Sequence, residues 1–102
     1  MINHIVMFKF RKGTRSDQVR SVTDAFRALQ NRVPEIRSFE QGQNISTEGK
    51  DQGFHHVYVL GFADIAARDA YLPHPEHQAF IGFVREMDVL EDVLVADYTP
   101  AA

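Results

Sequence analysis

Two stretches of this chain alternate with a period of two and carry apolar side chains on both faces. From Ile2 to Phe10, residues Ile2, His4, Val6, Phe8 and Phe10 point one way; Asn3, Ile5, Met7 and Lys9 point the other. From Phe54 to Phe62, residues Phe54, His56, Tyr58, Leu60 and Phe62 share one face, and His55, Val57, Val59 and Gly61 the other. Period-two order rich in β-branched and aromatic residues reads as strand. A strand with two apolar faces needs a cover on each side. The more apolar even face calls for helices of the same chain, and the odd face calls for something else.

The covering helices can be read from the spacing. Val19, Val22, Phe26, Leu29 and Val33 recur every three or four residues, forming one apolar stripe. Ser16 is placed to cap this helix, and Pro34 ends it. Ile36 to Asn44 is a polar, glycine-containing strand suited to a sheet edge. Asp64 can cap a short helix from Ile65 to Tyr71, which Pro73 and Pro75 interrupt. A last helix starts with Pro75 as its rigid first turn and runs to Arg85, with Phe80, Phe83, Val84 and Met87 on its core side. Val89 to Tyr98 is the final strand, and its Val93, Leu94 and Val95 predict cover on both sides.

The order strand, helix, strand, strand, broken helix, strand is that of an α+β, ferredoxin-like sandwich. It predicts an antiparallel four-stranded sheet with helices on one face, in a single domain over residues 1–102. The bare face would carry Ile5, Met7, Val57, Val59, Val93 and Val95. An apolar surface of that kind associates if left in water. A second copy packed sheet against sheet removes the problem, so the pattern predicts a homodimer, a dimeric α/β barrel.

Composition narrows the function classes. The net charge is −3, and basic residues are interspersed with acidic ones, which disfavours nucleic acid as a partner. The chain has no cysteine, excluding disulfides and thiolate chemistry. No apolar run approaches the roughly 20 residues of a membrane span, and the N-terminus lacks a signal-peptide pattern. The expectation is a cytoplasmic protein without a membrane partner. There is no His-Glu-x-x-His pattern, no phosphate-cradling glycine loop and no nucleophile elbow, so neither metal nor cofactor is expected.

Candidate chemistry comes from titratable groups on the helix-covered face. His4 and His56 lie on the even faces of their strands, and Tyr71 and His77 on the broken helix above them. The alternation predicts that all four meet in a pocket lined by Val6, Phe54, Phe80 and Phe83. A histidine passes protons near neutral pH and a phenol can assist it, so Tyr71 and His77 are the candidate catalytic pair. His4, His56 and the four apolar residues are the candidate ligand-binding groups. The competing reading makes these histidines core residues satisfied by neighbouring hydrogen bonds. His55 alternates onto the opposite face, and His74, between two prolines, is expected to be exposed.

Several ordered segments resemble the Dabb family, the stress-responsive dimeric α/β-barrel domain. They are His4-Ile5-Val6-Met7-Phe8-Lys9-Phe10, Arg37-Ser38-Phe39-Glu40-Gln41-Gly42-Gln43-Asn44, Gln52-Gly53-Phe54-His55-His56 and Glu91-Asp92-Val93-Leu94-Val95-Ala96-Asp97-Tyr98. The best match is Ala70-Tyr71-Leu72-Pro73-His74-Pro75-Glu76-His77-Gln78-Ala79-Phe80. The resemblance implies a ferredoxin-like protomer paired into a barrel. It is similar, too, to plant polyketide (olivetolic acid-type) cyclases, which have histidines at the positions of His4, His56 and His77 and a tyrosine at that of Tyr71. In those enzymes the last histidine and the tyrosine act as base and partner in an aldol-type ring closure. Leu72-Pro73 departs from their more aliphatic segment. The resemblance leaves the activity of such a dimer open; the convergence of the four titratable groups in an apolar setting would suit cyclase- or isomerase-like acid–base chemistry on a small apolar or carbonyl-containing molecule. Two other functions fit the same fold: a non-catalytic stress-response dimer with structural histidines, and a cofactor-independent dimeric-barrel monooxygenase.

Overall fold

The computed structural model describes residues Met1–Ala102. Its elements are β1 (Ile2–Phe10), α1 (Ser16–Arg32), β2 (Ser38–Gln43), β3 (His56–Phe62), α2 (Ile65–Tyr71), α3 (Pro75–Met87) and β4 (Leu90–Tyr98). The strands form one antiparallel sheet in the order β2-β3-β1-β4, a ferredoxin-like arrangement. The two strongly alternating strands are thus the central pair, and the polar β2 is an edge.

The core lies between helices and sheet. Ile2, His4, Val6 and Phe8 of β1 are buried, as are Tyr58, Leu60 and Phe62 of β3. The α1 stripe meets them through Val22, Phe26 and Leu29, and α3 through Phe80 and Val84. Phe26 is the hub. Its ring lies 4.6 Å from Phe80, 4.9 Å from Tyr58 and 5.8 Å from Phe8, centroid to centroid. Side chains of this kind each contribute about 1.5–3 kcal/mol on full burial.

Three sequence expectations change in detail. Ser16 is inside the first turn of α1, not its cap. The cap residue is Arg15, whose backbone N–H donates to Gln18 Oε1 at 3.0 Å. His74 is not a free surface residue: it caps α3, its Nδ1 accepting the Glu76 N–H at 3.1 Å. Phe83 turns away from the core and is 39% exposed.

The largest change concerns β4. Its register with β1 pairs Val93 with Phe8, Val95 with Val6 and Asp97 with His4. Directly opposed residues share a face, so Val93 and Val95 lie on the helix side and not on the bare face. Leu94 and Ala96, opposite Met7 and Ile5, take their place there. An apolar Val-Leu-Val run has no internal polarity, and a one-residue shift of register reverses every side chain. β4 is also an edge strand, with Val93, Leu94 and Val95 43%, 49% and 54% exposed.

Candidate active site

The break between α2 and α3 builds the site. Asp64 starts α2 by accepting the Ala67 N–H at 2.8 Å. Pro73 and Pro75 then prevent the helix from continuing. The Glu76 N–H, which an unbroken helix would give to Leu72, goes to His74 instead. The freed Leu72 carbonyl accepts from Gln78 Nε2 and His77 Nδ1, both at 2.9 Å. A carbonyl only accepts, so His77 carries its proton on Nδ1 and keeps a lone pair on Nε2. Burial pushes the His77 pKa below its ordinary value, despite the opposing bond to Leu72. The ring is therefore a neutral base at pH 7.

Tyr71 closes the other side. It is fully buried, its ring stacked on that of His77 at 4.1 Å between centroids. The hydroxyl is buried and has no hydrogen-bond partner in the chain. Burial pushes the phenol pKa well up, so the group stays an O–H donor at any ordinary pH. A buried hydroxyl left without a partner costs about 1–3 kcal/mol, so this one is held by the packing around it.

His4 enters from β1, its ring 6.0 Å from that of Tyr71. Its Nδ1 lies 2.6 Å from Asp97 Oδ1, and Arg68 Nη1 donates to Asp97 Oδ2 at 2.6 Å. Partial burial pushes the Asp97 carboxyl up, but the bonds from Arg68 and His4 outweigh it and hold it below the usual carboxylate range. The carboxylate can only accept, so His4 Nδ1–H donates and Nε2 is again the free ring nitrogen. Asp97 and Arg68 were not singled out from the sequence. The signal lay in register, because only the pairing of β1 with β4 sets Asp97 beside His4.

These groups line a cavity of about 500 Å³ between α3, α1 and the β1–β4 side of the sheet. His4, Tyr71, His77, Val6 and Phe80 all reach it. Eleven of its fifteen lining residues are hydrophobic, a lining of the kind small-molecule pockets have, with few polar groups. Val93 and Val95 form its β4 wall.

Three predicted members fall outside. His56 is on the expected face, but it pairs with Phe8, four residues along β1 from His4. Four strand residues span about 13 Å. It lines instead a polar groove with Arg20, Thr23, Arg27 and Gln41. Burial lowers its pKa, and its Nδ1 has no partner. Phe54 precedes β3 and is buried away from the cavity lining, and its carbonyl accepts from Asn44 Nδ2 at 3.1 Å. Phe83 is off the α3 stripe that faces the cavity: His77, Phe80, Ile81, Val84, Arg85 and Asp88. Face parity was right for His56; distance along the strand was not legible. No group of three His, Asp or Glu side chains converges to hold a metal ion.

Residues 2–100 match the Stress responsive A/B Barrel Domain. The chain belongs to that family. Among relatives, a Streptomyces coelicolor protein is 34% identical, the match covering 96% of this chain and 98% of the relative. The stress-response A/B barrel domain-containing protein HS1 of Arabidopsis thaliana is 26% identical (99% and 91%), and the olivetolic acid cyclase of Cannabis sativa 24% identical (97% and 96%). Of solved structures, an Arabidopsis thaliana protein superposes with a TM-score of 0.92 at 25% identity, covering 100% of this chain and 97% of that one. A dimeric ferredoxin-like protein from Jannaschia sp. follows with 0.79 at 25% (97% and 98%). The family domain thus spans this chain, and its solved structural neighbours include dimeric ferredoxin-like proteins. No helix is long and apolar enough to cross a membrane.

Proposed function

We propose that this A/B barrel protein is a homodimer whose protomers each bind a small carbonyl compound and move a proton beside that carbonyl. The observation that carries this reading is the pairing of a neutral His77 base with the unpartnered Tyr71 hydroxyl on one apolar cavity. In the step, the C–H bond next to the carbonyl breaks and His77 Nε2 takes the proton. The electron pair moves onto the carbonyl oxygen, which Tyr71 O–H stabilises by donating a hydrogen bond. His4, fixed by Asp97, orients the ligand. The resulting enolate is the nucleophile of an aldol-type closure, which fits the cyclase name of one relative.

The test is deuterium incorporation from D2O into phenylacetone, followed by NMR. The protein should accelerate exchange beyond an equal concentration of imidazole. Exchange no faster than imidazole gives would overturn the reading. It would favour the non-catalytic one, for which there is a specific observation: His4 and His77 each already hold a structural partner, Asp97 and the Leu72 carbonyl.

For the dimer we infer pairing through the bare sheet face. Ile5, Met7, Val57 and Val59 are half-buried there even in one protomer, and Leu94 and Tyr98 are each 49% exposed. Burying five such side chains yields roughly 10 kcal/mol gross, against an association cost of about 4–15 kcal/mol. Val59 sits at the centre, between Ile5 and Glu40. Val59→Asp should therefore sediment as a folded monomer at concentrations where the wild type is a dimer. A dimeric Val59→Asp protein would move the interface elsewhere.

A further inference from the structure

The cavity has a second polar end. The α3 stripe that begins at His77 reaches Arg85 and Asp88 on the same cavity wall. From His77 to Arg85 is eight residues, about 12 Å of helix. The strand opposite agrees: His4 to Phe8 on β1 spans about 13 Å, and both residues line the cavity. The space is thus elongated, with the histidines at one end, an apolar middle, and Arg85 at the other.

The two charges at the far end are not equivalent. Asp88 is held by Arg11, whose Nη2 lies 3.0 Å from its Oδ1 and whose Nε donates to its carbonyl at 3.2 Å. Arg85 joins none of the ion pairs of the chain. With Asp88 already neutralised, this end presents an uncompensated guanidinium, whose planar fork suits a carboxylate. The β4 wall leaves the cavity open beside it, since Val93 and Val95 stay 43% and 54% exposed.

We propose that the natural ligand is an elongated amphipathic keto acid. Its carboxylate meets Arg85, its apolar body fills the middle, and its carbonyl lies about 12 Å away beside His77 and Tyr71. The carbonyl end rests on the function proposed above; the carboxylate end rests on Arg85 alone. It assigns Arg85 as the residue that selects acids over neutral molecules of the same length.

Isothermal titration with decanoate and with its neutral counterpart decanamide tests this. The wild type should prefer decanoate by about five- to tenfold, the modest gain of a partly exposed charge-assisted pair. Arg85→Gln should remove that preference while leaving decanamide affinity unchanged, and Arg85→Lys should keep part of it. Arg85 is exposed, so neither variant threatens folding. Equal binding of the two ligands by the wild type, or a preference that survives Arg85→Gln, overturns the proposal. The proton-transfer reading would stand in either case, because phenylacetone has no carboxylate and its exchange is read independently. Failure of both ligands to bind would overturn the proposal, and phenylacetone exchange would still decide the proton-transfer reading by itself.

Discussion

His77→Ala should keep its fold and lose about a hundred- to ten-thousand-fold of the phenylacetone exchange rate, the usual worth of a positioned general base. That corresponds to roughly 2.7–5.5 kcal/mol of barrier. The fold should survive because α3 does not depend on this ring. Pro75 and the His74 cap start the helix, Phe80 and Val84 anchor it, and Gln78 still satisfies the Leu72 carbonyl. The pH dependence separates a base from a packing residue. Burial holds the His77 pKa below its ordinary value of 6.5. The base form is therefore fully present near pH 7 and is lost only as pH falls through that lowered pKa. Wild-type exchange, corrected for the solvent reaction, should be flat through neutrality and fall on the acid side below pH 6.5. His74→Ala serves as the control: it removes a cap and leaves the base in place. A His77→Ala protein that exchanges as fast as wild type, with the same acid limb, would take His77 out of the chemistry.

The legibility of this chain follows from which physical signal each feature left in the residue order. Element type and order were readable because period two and period 3.6 leave different traces, and because prolines mark the break between α2 and α3. His4 could be put on the covered face from the alternation of β1, whereas Tyr71 and His77 could be put over that face only because they lie on the broken helix that covers it. What failed depended on register or on length. β4 is apolar at three consecutive positions, so its faces were fixed only by hydrogen bonding to β1, which put Val93 and Val95 in the cavity wall. Register also supplied Asp97, the group that orients His4. His56 shows the second kind of failure. Alternation gives a side, not a position along the strand, and β3 runs antiparallel to β1, so equivalent-looking histidines end up at opposite ends of the sheet. Phe83 is a third case: a large apolar residue near a helical stripe is not necessarily on it.

Phe26→Ala should cost about 3–5 kcal/mol of stability, as deletion of a buried aromatic ring does when its surroundings relax only in part. Phe26 is 2% exposed and touches the rings of Phe8, Phe39, Tyr58 and Phe80, which come from β1, β2, β3 and α3. A domain of this length has about 5–15 kcal/mol in total, so this one change removes a large share. Urea unfolding at fixed protein concentration measures it, the concentration being held because dimer formation adds to apparent stability. A loss below about 1.5 kcal/mol would mean that the site collapses readily and that the aromatic stack is not the hub of the core. The contrast with His77→Ala locates where fold and function part company. Phe26 and Phe80 belong at once to the core and to the cavity wall, so substitutions there change the pocket only by weakening the protein. His77 and Arg85 sit at the two ends of the same cavity and outside the core cluster. The apolar wall is tied to stability, whereas substitutions at the polar ends should change the chemistry of the cavity without that loss.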